Sequence, residues 1–154
     1  MKTRTVVLTL AALFSVVSVC FAADANMGTW KLNEAKSKMS ADAQKNGTVV
    51  YEAAGDSVKV TVDGMDAGGK ATHNEWTGKF DGKDYAVMSD PASDMRAYKR
   101  VNDHTLSMTV KKDGKMTMSG TIKVSADGKS RTVAVHGTDA KGKKVTSTAV
   151  YDKQ

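Results

Sequence analysis

The chain has one cysteine and one proline in 154 residues, and aromatic residues make up only 6% of it. The cysteine, Cys20, lies in an apolar N-terminal run, so the rest of the chain must be stable without a disulfide. The scarcity of proline excludes polyproline segments and proline-stiffened linkers. No cluster of lysine and arginine is interleaved with aromatics, and lysines alternate with aspartates along most of the chain. The formal charge of +6 therefore describes a solvated surface and no nucleic-acid interface. His73, His104 and His136 lack zinc-ligand spacing. No nucleophile elbow, paired-carboxylate signature or phosphate loop occurs, so no catalytic residue and no cofactor is expected.

The first 22 residues read as a secretory signal: Lys2 and Arg4 precede an apolar run from Val6 to Val19, and small residues follow. That run is short for a membrane span, and cleavage after Ala22 predicts no stable membrane insertion afterwards. Lipidation of Cys20 would need a smaller residue than Val19 before it. Removal of 22 of the 154 residues leaves 132, one domain from 23 to 154, and loss of Lys2 and Arg4 lowers the charge from +6 to +4. A periplasmic or secreted monomer is expected.

What remains is a rhythm of short alternating runs and tight turns. Gly28 to Asn33 reads as a first strand with Trp30 and Leu32 inward. Asn33 to Gln44 loses the alternation and tolerates a helical turn or two, capped by Asn33 and suited to a lid over one barrel mouth. Strands follow at 48–53, 58–62, 71–80, 85–88, 95–101, 105–111, 116–125, 131–138 and 145–151, with Asp63 to Gly69 as a turn region and Asp81-Gly82 as a hairpin signal. A meander of about ten strands must protect its first and last edges. Pairing them closes it into an antiparallel, up-and-down, all-β barrel of eight to ten strands.

Turn lengths fix the faces. A three-residue Lys112-Asp113-Gly114 loop sets Val110 against Met116 and Met108 against Met118. An Asp127-Gly128 turn sets Ile122 against Val133, and a three-residue Ala140-Lys141-Gly142 loop sets Val133 against Ala149 and Arg131 against Tyr151. The turn at Asn102-Asp103-His104 is a fork. With His104 left-handed, which histidine tolerates, Arg96, Tyr98 and Arg100 join Val110, Met108 and Leu106. A two-residue loop instead turns Met95, Ala97 and Lys99 to that side.

These registers nominate Arg131 with Tyr151, joined by Arg96, Tyr98 and Arg100, as an anion-reading group in an apolar interior, since a guanidinium can grip a carboxylate through two parallel hydrogen bonds. The alternative is a barrel rim where the same residues pair with Asp or Glu. Trp76 is a further contact candidate, otherwise core. Met108, Met116 and Met118 should cluster as core or pocket lining, or as soft ligands for Cu(I).

The opening Gly28-Thr29-Trp30-Lys31-Leu32 resembles that of the lipocalins, and the chain length and ending Ala149-Val150-Tyr151-Asp152-Lys153 resemble those of the fatty-acid-binding proteins. Over essentially the whole chain after the signal, the sequence is similar to small secreted bacterial lipocalin-like proteins of the calycin group. The resemblance implies a cavity for a small hydrophobic ligand. In the fatty-acid-binding relatives an Arg and a Tyr two apart on the last strand hold a ligand carboxylate. Tyr151 matches the Tyr, Ala149 stands at the Arg position, and Arg131 is the available replacement. The expected function is therefore carriage of a hydrophobic, anionic molecule such as a lipid or fatty acid. The alternatives are an envelope interaction module with a filled barrel, and a weak methionine-based metal binder.

Overall fold

The computed structural model describes residues 24–40, 43–138 and 142–154, so the expected N-terminal signal lies outside the described residues. Ten antiparallel strands occur among them: β1 (Gly28–Leu32), β2 (Lys45–Ala54), β3 (Ser57–Met65), β4 (Ala71–Gly78), β5 (Tyr85–Met88), β6 (Met95–Asn102), β7 (Thr105–Lys112), β8 (Lys115–Val124), β9 (Ser130–Thr138) and β10 (Lys144–Lys153). Each pairs with its chain neighbours, and β1 pairs with β10 to close the barrel. The seam is short: Trp30 lies opposite Lys153, Lys31 opposite Asp152 and Leu32 opposite Tyr151.

The helical segment after β1 is present, at the short end of the turn or two expected for a lid. Among the described residues of this stretch only Glu34–Lys36 is helical, a single 3-10 turn capped by the Asn33 side chain accepting from Lys36 N. The chain then returns to β10, where Lys38 and Thr148 exchange backbone hydrogen bonds of 2.7 and 2.9 Å. Too few apolar residues face one side to hold a longer helix, and unpaired groups on β10 supply a better set of bonds. The turn therefore acts as a bulge in the closing seam. Ala41 and Asp42, in the rest of the expected helical stretch, lie outside the described residues.

Alternation set the faces, and β-bulges adjusted the registers. At the β7–β8 turn, Asp113 and Gly114 are both left-handed (φ 49° and 72°), forming a two-residue hairpin. One extra residue, Thr117, then bulges, so Val110 faces Met118, Met108 faces Gly120 and Lys111 faces Met116. The expected Val110–Met116 and Met108–Met118 pairs do not form, and Met116 points outward with 63% exposure. At the β6–β7 turn His104 is not left-handed. A bulge at Val101 does the same work, and Arg96, Tyr98 and Arg100 fall opposite Val110, Met108 and Leu106. The Asp81-Gly82 pair is not a tight hairpin either. It sits in a six-residue loop, 79–84, whose Gly82 N bonds Tyr98 O at 2.9 Å, while β3 runs on to Met65. Downstream, Ile122 faces Val133, Val133 faces Ala149 and Arg131 faces Tyr151, as the turn lengths require. Ala140 and Lys141 of the intervening loop lie outside the described residues.

Gly120 marks a place where strands crowd. A Cβ there would lie 2.2 Å from Ala134 O and 2.8 Å from Val135 Cα, closer than any side chain permits. Glycine lets the sheet curl tightly enough to close.

Candidate ligand-binding interior

Because strands alternate in direction, the barrel has two distinct ends. The N-terminal segment and the β2–β3, β4–β5, β6–β7 and β8–β9 connections lie at one. The β3–β4, β5–β6, β7–β8 and β9–β10 connections lie at the other.

The first end is sealed. A turn at Asp24–Met27 carries Asn26, fully buried, whose carbonyl accepts from Trp30 Nε1 at 2.8 Å. The Asp24 carboxylate pairs with Arg100, whose guanidinium lies 5.4 Å from the Phe80 ring centroid. Burial pushes the Asp24 carboxyl up, but the Arg100 and Asn26 hydrogen bonds outweigh it and hold the carboxyl below its usual range. Inside this end Trp76 stacks on Phe80, meets Tyr98 edge-on at 4.7 Å and Tyr85 at 5.7 Å, and donates from Nε1 to Arg96 O at 2.9 Å. Trp76 is fully buried. Arg100 thus belongs to the seal and Trp76 to the packed floor.

Two buried arginines face the same interior. Arg131, 2% exposed, sits among three rings: its guanidinium carbon is 4.8 Å from the centroid of Trp30, 4.9 Å from Tyr51 and 4.8 Å from Tyr151. Its Nε and Nη1 have no hydrogen-bond partner, and no carboxylate pairs with it among the described residues. Arg96, 9% exposed, approaches Asn74 Oδ1 at 3.4 Å and Asp90 Oδ2 at 3.6 Å, and its Nε is unpartnered. Tyr51 lies within the field of both: burial pushes its phenol well above its ordinary value, Tyr98 adds to this, and Arg131 and Arg96 oppose it. Burial raises Tyr151 as well. Both phenols therefore stay protonated and able to donate.

Toward the second end the interior changes character. Met108 is buried opposite Gly120, but Met118, Val133, Val135 and Val145, which share the inward face, remain partly exposed. Two concavities mark the surface. One of about 260 Å³ lies at the sealed end beside Phe80 and Arg100. The other, about 330 Å³, follows the open-end termini of β8, β9 and β10 past Met118, His136 and Val145. His136 Nε2 shares a hydrogen bond of 2.9 Å with the Ser119 hydroxyl on the outer face, and His73 Nδ1–H donates to the Asp63 carboxylate at 2.7 Å. No group of three metal-ligating side chains occurs among the described residues.

The sequence-nominated Arg131, Tyr151, Arg96 and Tyr98 are thus gathered on one inward face, with Met108 and Met118 above. Tyr51 and Asn74 were missed as site residues. Tyr51 alternates with Val49 and was legible as inward, but its distance in sequence from Arg131 hid the contact.

No known protein family and no curated protein matches the chain. Among solved structures it is similar to EF1p2_mFAP2b bound to DFHBI, with 12% identity, a TM-score of 0.48, and 86% of this chain and 97% of that one covered. It is likewise similar to a redesigned β-barrel, mFAP1, bound to DFHBI, with 14% identity, a TM-score of 0.44, and coverage of 86% and 98%.

Proposed function

We propose that the chain is a lipocalin-like carrier, exported by a cleaved signal to the periplasm or beyond, that holds a small hydrophobic anion in its barrel and catalyses nothing. The observation that carries this reading is Arg131, buried with no carboxylate partner among the described residues and with Nε and Nη1 unpartnered, joined by Arg96, which Asp90 pairs but whose Nε is also unpartnered. A buried guanidinium without a carboxylate is costly, and a ligand carboxylate received between protonated tyrosines would satisfy it. Gly137 lies six residues above Arg131 on β9, about 20 Å along the strand at about 3.4 Å per residue. A ligand with its charge at the arginines would extend its apolar tail past Val133 and Val135 toward the open end. The solid aromatic packing of the sealed half supports the rival reading, an interaction module without a ligand.

Titration with decanoate and with decanol separates the two. Trp30 touches Arg131, so its fluorescence reports on the site. Decanoate should bind at least about tenfold more tightly than decanol, one charge-assisted hydrogen bond contributing ~1.5–3 kcal/mol. Equal affinities would remove the anion from the proposal, and binding of neither would leave the interaction module.

A further inference from the structure

Five large hydrophobic side chains are strongly exposed among the described residues, and four of them, Met65, Met88, Met95 and Met116, lie at the open end of the barrel. Three of these form an outer band across neighbouring strands. Met95 lies opposite Lys111, and Lys111 opposite Met116, while Met88 ends β5 beside the start of β6. Lys70, Lys112, Lys115 and Lys144 surround the same end and form no ion pair among the described residues. Most acids at this end are engaged: Glu34 pairs with Lys45, Asp63 with His73 and Asp90 with Arg96, while Asp66 is turned onto the amides of Gly68 and Lys70 and Asp94 onto that of Asp113. Exposed Asp113, between Lys112 and Lys115, has no ion pair among the described residues. The sealed end differs, with Asp24, Asp56, Asp81, Asp103 and Asp127 set among Lys79, Lys83, Lys129 and Arg100.

We infer that the open end is a docking face for an anionic lipid surface. Methionine side chains are flexible and apolar, and can enter the region between headgroups and acyl chains without a rigid complementary pocket. Lysines beside them are attracted to anionic headgroups, each contributing where it comes within a Debye length. The same lysines argue against a second copy of this chain, because two such faces would bring like charges together. No helix among the described residues is long and apolar enough to cross a membrane, and the contact inferred is peripheral. The inference does not depend on the carrier reading, since the face would dock whether or not the interior is occupied.

The test is flotation of the exported chain, its N-terminus established by mass spectrometry, with phosphatidylcholine vesicles with and without phosphatidylglycerol. Two surface variants accompany it, M88S/M95S/M116S and K112E/K115E, each checked for native circular dichroism. The wild-type chain should bind the phosphatidylglycerol vesicles at least about tenfold better than the neutral ones, and each variant should lose about tenfold. Binding should weaken with added salt. Failure to float with anionic vesicles, or unchanged binding by either variant, would overturn the inference. So would concentration-dependent dimerisation abolished by the methionine variant in a chain that ignores vesicles, which would assign the face to a second copy.

Discussion

Replacing Arg131 by methionine opposes two large energies whose sign can be predicted. The guanidinium lies 4.8, 4.9 and 4.8 Å from three ring centroids. A desolvated cation–π contact contributes about 2 kcal/mol, and three rings sharing one cation bring the favourable sum to several. Against this stands the effective penalty of burying an ion, also several kcal/mol. Two orphaned donors, Nε and Nη1, reflect what the rings do not restore, at roughly 1–3 kcal/mol each. Methionine fills nearly the same elongated volume, keeps the apolar contact with Trp30 and Tyr151, and requires no hydrogen bond. We therefore expect R131M to be more stable than the wild type by about 1–2 kcal/mol, within the range seen when buried ionic groups give way to apolar ones. The same variant should bind decanoate at least about tenfold more weakly. Urea unfolding followed by tryptophan fluorescence measures the first quantity, and decanoate titration the second. A loss of more than about 2 kcal/mol would refute the reasoning, because the ring contacts would then outweigh the burial penalty and the arginine would need no ligand to justify it.

Two further outcomes follow from the fold. Gly120→Ala should cost more than about 2 kcal/mol in urea unfolding although it adds one methyl group, because its Cβ meets the Ala134 carbonyl at 2.2 Å and backbone must move; a neutral effect would mean that β8 and β9 do not crowd there. Asp24 has a depressed carboxyl pKa, so the stability it contributes is complete above the unfolded value of 3.8 and is lost as pH falls through the lower folded value. Asp24→Asn should accordingly flatten the acid limb of the stability curve below about pH 4, with an effect at neutral pH of no more than about 1 kcal/mol for this partly exposed pair.

The strand rhythm, the all-β class and the pairing of the first strand with the last were all contained in the order of residues. Alternation at Val58–Val62 and Ile122–Val124 can satisfy only a half-buried strand, and a ten-strand meander with two unpaired edges gains by joining them. The opposition of Arg131 to Tyr151 was legible for the same reason: a short turn transmits register, and register transmits facing. Tertiary structure decided what local pattern cannot. The bulges at Thr117 and Val101 arise from sheet curvature, which sums contributions from every strand, so they moved Met116 outside and reached the correct face for Arg96 by a different turn. Whether an inward arginine meets a carboxylate or three aromatic rings depends on residues from strands distant in sequence, Trp30 and Tyr51 among them, brought together only when the barrel closes.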